Sequence, residues 1–121
     1  PDGSGGWTRS TWAENGVVVT ELAAGLLALG LNAEDRVAIA ATTRLAWIHA
    51  DLAILCAGGA TTTIYPTSTP EDVHHILTDS GSRFAVLEDA GQVLVRGVRD
   101  RNDIQGNPAL DEARALGRSM R

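Results

Sequence analysis

The amino-acid sequence predicts an α/β fold: a partial parallel sheet with helices packed on its faces. Three observations predict it. Stretches with a helical apolar period alternate with short apolar runs. The run Val37-Ala38-Ile39-Ala40-Ala41 has no polar alternation, as expected of a strand covered on both faces. Glycines and capping residues punctuate the stretches between. The resulting order is helix, strand, helix, strand, helix, strand, helix, which implies right-handed crossovers.

Each element has a local cause. Residues 1–10 read as a flexible Gly/Ser leader with a candidate edge strand at Trp7 to Ser10. Thr11 and Glu14 form a Thr-x-x-Glu capping box that opens a helix to about Leu29. Val18, Leu22, Leu26 and Leu29, with Val19 and Ala23, give it a wide apolar face. Gly16 weakens the helix, Gly25 suits close packing, and Gly30 with Leu31 suits a Schellman ending. After the first strand, Thr42-Thr43 is expected to cap a second helix whose core stripe is Leu45, Ile48, Leu52 and Leu55. Gly58-Gly59 ends it, and Ala60 to Tyr65, rich in β-branched residues, is the second strand.

Thr69 precedes Pro70 at the first helical position, and Asp72 completes a short-armed capping box. Val73, Ile76 and Leu77 form the buried stripe of this third helix, and Ser80-Gly81 stops it. Phe84 to Leu87 is a third strand. Ala90, Val93 and Leu94 suggest a helix continuing to about Arg99. Gly106-Asn107-Pro108 breaks the chain, and Asp111 to Leu116 reads as a short last helix. The βα-repeat thus spans residues 11–100, and residues 101–121 form a polar tail or linker. The absence of an initiator methionine and this polar end read as a piece of something longer.

Composition excludes several classes. With 121 residues and 44% hydrophobic content the chain supports a packed core. A net charge of −5 argues against a nucleic-acid partner. No polybasic patch is present, and the apolar region Leu45 to Tyr65 is broken by His49, Asp51, Gly58 and Gly59, so no transmembrane segment is expected. A single cysteine, Cys56, permits no internal disulfide and fits a reducing compartment.

The residues do not assemble a catalytic or metal site. His74 and His75 are adjacent on a helix and diverge by about 100°, so a helix surface is expected, not a shared ion. His49 has no carboxylate at i+3 or i+4 and reads as satisfied or exposed. Asp51, in an apolar helix, is expected to hydrogen-bond a backbone group or Arg36. Gly3 to Gly6 lacks the strand and helix of a dinucleotide fingerprint. No Gly-x-Ser-x-Gly elbow makes a nucleophile of Ser10, Ser68, Ser80 or Ser82, and Cys56 reads as an inert core thiol. Parallel sheets bind ligands beyond the carboxyl ends of their strands. That rule singles out Thr42, Thr43 and Arg44 after the first strand, and Tyr65, Thr67 and Ser68 after the second.

Several pieces in order carry a family resemblance. They are the Leu-Ala-x-Gly-Leu and Leu-Gly-Leu of Leu22 to Leu31, Asp35-Arg36-Val37-Ala38-Ile39, and Thr43-Arg44-x-x-Trp47. Asp51-Leu52-Ala53-Ile54, Gly59-Ala60-Thr61, Ile64-Tyr65-Pro66-Thr67, His75-Ile76-Leu77 and Asp79-Ser80-Gly81 follow. Together they resemble the N-terminal region of AMP-forming long-chain fatty-acid–CoA ligases of the adenylate-forming superfamily. Ala46 departs from the family's acid before the tryptophan, and Thr62-Thr63 from its usual Val-Pro. The family's phosphate loop, with its lysine, has no counterpart in a chain without lysine.

The resemblance implies the N-terminal part of the adenylate-forming enzyme large domain. Its two-step reaction joins a fatty carboxylate to AMP from ATP, then exchanges AMP for coenzyme A, with magnesium. It implies a scaffold that binds none of these itself, has no catalytic or metal residue, and has the remainder of its own enzyme chain as partner. Tyr65 and Thr67 would lie at the domain's inner seam. A cytoplasmic location is implied, with the longer enzyme able to sit peripherally on a membrane. The alternative is a free-standing small α/β binding or interaction module without catalysis.

Overall fold

A computed structural model describes residues 4–89 and 92–97. The first helix, α1, runs Trp12–Ala28, followed by strand β1, Arg36–Ala40. Helix α2 is Leu45–Cys56, strand β2 is Ala60–Ile64 and helix α3 is Pro70–Ser80. Strands β3, Phe84–Asp89, and β4, Gln92–Gly97, complete a four-stranded sheet of order β2-β1-β3-β4. β1 pairs in parallel with both β2 and β3.

The helix ends form as their residues dictate. Thr11 Oγ1 accepts from the Glu14 N–H at 3.2 Å, and the Glu14 carboxylate accepts from the Thr11 N–H at 2.7 Å. Thr69 and Asp72 repeat this reciprocal pair at the start of α3. α1 ends in a Schellman motif: Gly30 N–H donates to Leu27 O and Leu31 N–H to Leu26 O, both at 3.0 Å. Gly58 and Gly59 close α2 the same way, onto Leu55 O and Ile54 O. A Cβ at Gly16 would meet nothing within 4 Å. Gly16→Ala is therefore expected to raise the unfolding free energy by about 1 kcal/mol in a urea titration.

Two cores lie on the two faces of the sheet. Val37, Ile39, Phe84 and Val86 pack with Val19, Ala23, Leu26, Ala50, Ala53 and Ile54 under α1 and α2. Ala38, Ile64 and Ala85 turn the other way, and Val73, Ile76 and Leu77 of α3 pack against them. Alternate residues of β1 thus serve opposite layers, which explains the uniformly apolar strand. Val37, Ala38 and Ile39 are fully buried.

Several expectations are corrected. Trp7 to Ser10 form no strand, and Trp7 is exposed where an edge strand would need a partner. The helix expected over Ala90 to Arg99 is, where described, β4, antiparallel to β3 with Asp89 opposite Gln92. The β-branched Val93 and Val95 favour this strand, and the sheet is mixed, not purely parallel. In α2 the stripe Leu45, Ile48, Leu55 faces outward, and Ala50, Ala53 and Ile54 are buried instead. Cys56 is exposed, not a core thiol. Residues 1–3 and the expected breaker, helix and tail beyond residue 97 lie outside the described residues.

Asp35 gathers the amino ends of the strands. Its carboxylate accepts from Asn32 N–H at 2.8 Å and from Arg83 at 2.5 Å, and its carbonyl accepts from Ala60 N–H. Arg36 donates to the Ser80 carbonyl, so it does not serve Asp51 as expected; Asp51 is half-buried. His49 lies 2.8 Å from Asn15 Oδ1, tying α2 to α1 as a satisfied histidine.

These groups set a pH dependence. Backbone N–H donation holds the Asp35 and Glu14 carboxyls below their usual range, and the Thr69 hydroxyl does the same for Asp72. Burial lowers the pKa of His49. All four values are depressed on folding, so their contribution is present at neutral pH and lost as pH falls. The urea midpoint should decline first below about pH 6.5 and more steeply below about pH 4.

Candidate functional site

The sheet brings two strand-end loops side by side. The connection after β1 leads to α2 on one face of the sheet, and the connection after β2 leads to α3 on the other. β1 and β2 are neighbours in register, Ala40 opposite Ile64. Open α/β sheets take ligands beyond the carboxyl ends of their strands, and two loops lie there side by side. One loop is Thr42, Thr43 and Arg44; the other is Tyr65, Pro66, Thr67 and Ser68.

The first loop is pinned by a residue that periodicity does not reveal. Glu88, near the end of β3, accepts from the Thr42 N–H at 2.7 Å and the Thr42 hydroxyl at 2.6 Å. Its other oxygen forms an ion pair with Arg44. The expected Thr42-Thr43 cap of α2 is thereby displaced: Arg44 is the N-cap residue and provides no side-chain cap. Ala40 pairs with Leu87, which brings Glu88 beside this loop. That register is a tertiary fact, so the sequence carries no local sign of the contact. Glu88→Ala should speed hydrogen exchange at the Thr42 amide by about tenfold, because a charge-assisted bond is lost. The loss in global stability should be about 1–3 kcal/mol, because the Glu88 side chain is only 15% exposed and accepts two charge-assisted bonds from Thr42.

The second loop is a turn. Ser68 N–H donates to Tyr65 O at 3.0 Å with Pro66 at the second position, the geometry proline favours. Local turn chemistry therefore accounts for Tyr65 to Ser68 without a ligand. Tyr65 is 69% exposed, and Thr43 and Thr67 are exposed too. The six strand-end residues thus lie on two loops that follow neighbouring strands, and the charged pair of the first loop is satisfied within it.

Among the described residues, no group of three or more His, Cys, Asp or Glu could hold a metal ion. No chemical step is assigned to these residues. His74 and His75 are exposed on α3. Among the described residues, no helix is long and apolar enough to cross a membrane.

The parallel strands β2, β1 and β3 with helices on both faces define an open α/β sheet. The AMP-binding enzyme family model matches residues 2–119, and the chain belongs to that family. It is 45% identical over 76 residues to the long-chain-fatty-acid–CoA ligase FadD15 of Mycobacterium bovis, covering 63% of this chain and 13% of that protein. It is 33% identical over 100 residues to the long-chain-fatty-acid–CoA ligase heimdall of Drosophila melanogaster, covering 82% of this chain and 15% of that protein. The fold matches the N-terminal subdomain of Klebsiella oxytoca NpsA in complex with 3-hydroxyanthranilyl-AMSN, with a TM-score of 0.64 at 23% identity, over 69% of this chain and 21% of that one. The chain thus spans about a seventh of the length of the ligases it matches.

Proposed function

We propose that this chain is the amino-terminal framework of an ATP-dependent, AMP-forming long-chain fatty-acid–CoA ligase, and that it has no catalytic activity alone. Residues 11–100 form the framework and residues 101–121 a linker. The observation that carries this reading is the identity with long-chain ligases, 45% over 76 residues and 33% over 100 residues. The strand-end loops support it to this extent: Glu88 and Arg44 are paired with each other, and Glu88 also accepts from Thr42.

In the whole enzyme a fatty carboxylate oxygen attacks the α-phosphorus of ATP and pyrophosphate leaves. The coenzyme A thiol then attacks the acyl carbonyl and AMP leaves. Both steps place charge on oxygen atoms that need preorganised donors. This chain's part is to hold the two loops and the sheet edge that position such donors, with Tyr65 and Thr67 at the seam against the rest of the domain. Cytoplasmic location belongs to the same reading.

The chain is expected to give no ATP–pyrophosphate exchange above blank with palmitate, ATP and magnesium. Measurable exchange by these 121 residues alone overturns the framework role. The alternative of a free-standing module is disfavoured by the apolar residues that α2 turns outward, which a monomeric module would cover.

A further inference from the structure

The two helical layers end differently on the outside. α3 presents Glu71, Asp72, His74, His75, Thr78 and Asp79, all exposed, so its outer face is a solvent face. α2 presents Leu45 at 48%, Ile48 at 43% and Leu55 at 54% exposure, while Leu52 packs against the inner core. The spacing of the three exposed residues places them on one side, about opposite the Ala50, Ala53 and Ile54 face that packs inward. α1 beside it exposes Val17 and Leu27. A helix that is apolar on both sides belongs in an interior.

We propose that the outward stripe of α2, Leu45, Ile48 and Leu55, is the surface on which the continuing polypeptide of the same ligase packs, while the outer face of α3 stays in water. This rests on the ligase reading above. The occupant presents an aliphatic surface with a basic group opposite Asp51, which borders the stripe. Length supports this occupant, because the matched ligases are several times longer than this chain. Charge disfavours the others. α1 and α2 contain Glu14, Glu21 and Asp51 and neither lysine nor arginine, so an anionic membrane is not attracted. A second copy would set these same acids against each other.

The test uses the parent polypeptide, expressed from the reading frame extended beyond this segment. Cys56, at the edge of the stripe and exposed here, serves as a reporter, and Thr78→Cys supplies a control on α3. In the native parent, maleimide labelling of Cys56, read by peptide mass spectrometry, should be roughly a hundredfold slower than in urea, and labelling at Thr78→Cys within about threefold of its urea rate. Ile48→Glu should restore fast labelling of Cys56. A parent that exchanges ATP with pyrophosphate but labels Cys56 fast overturns the docking and leaves the ligase reading standing. Self-association of the 121-residue chain with Cys56 protected, abolished by Ile48→Glu, overturns it in favour of a second copy. A frame that does not extend, or a parent without exchange, overturns the ligase reading and the docking with it.

Discussion

Ile54→Ala is expected to lower the unfolding free energy of this chain by about 2–5 kcal/mol, and Ile48→Ala, in the same helix, by less than about 0.5 kcal/mol. The two residues are chemically identical and differ only in where α2 points them. Ile54 is fully buried and packs toward Ile39 and Val37 of the central strand in the larger core. Its truncation removes transfer free energy and leaves a cavity that the neighbouring backbone cannot fill, because the helix is fixed there by Gly59 N–H donating to Ile54 O. Ile48 is 43% exposed and loses only part of a hydrated surface. Urea titration of both variants beside the unsubstituted chain decides the matter, with equal slopes and unequal midpoints as the expected result. In the parent polypeptide Ile48→Ala should become costly, because the proposed docking buries it.

The same helix shows where sequence reading succeeds and where it fails. The capping boxes at Thr11–Glu14 and Thr69–Asp72 were legible because both partners lie within four residues and the chemistry is local. Gly30 and Gly81 were legible for the same reason, as left-handed residues past a helix end. β1 was legible because burial on two faces leaves no polar alternation to misread. The orientation of α2 was not. Its largest aliphatics form a better stripe than its true buried face, which uses Ala50, Ala53 and Ala57 with Ile54. Small residues let α2 approach α1 and the sheet closely, and periodicity weighted by hydrophobicity cannot see that.

The six candidate residues were singled out by architecture alone, through the rule about strand ends, and they follow neighbouring strands. Glu88 was missed because it joins Thr42 and Arg44 across more than forty residues of sequence, through the register of β1 with β3. β4 was missed because Ala90, Val93 and Leu94 fit a helical period as well as a strand. Only the pairing partner β3, with its own exposed edge, chooses between them.

Gly59→Val is expected to cost about 2–3 kcal/mol, and the reason is space, not backbone conformation. Gly59 needs no left-handed angle, unlike its neighbour Gly58 at φ +82°. A Cβ on Gly59 would stand 3.1 Å from Asp35 O, 3.1 Å from Ile54 Cγ2 and 3.3 Å from Ile54 O. Two of these three atoms are backbone, and neither is free to move. Ile54 O closes α2 by accepting from Gly59 N–H, and Asp35 O accepts from Ala60 N–H at 2.9 Å, where β2 enters the sheet beside β1. A valine side chain must push one of them aside, and the entry of β2 is the weaker, because β2 is an edge strand paired on one side only. Amide exchange should therefore rise first at Ala60 and Thr61 and least at Val37 and Ile39. Gly59→Ala should show the same order at roughly half the cost. If the midpoint of Gly59→Val stays within error of the unsubstituted chain, the junction of α2 and β2 is looser than these distances require, and the loop that follows β2 is not held from the strand's amino end.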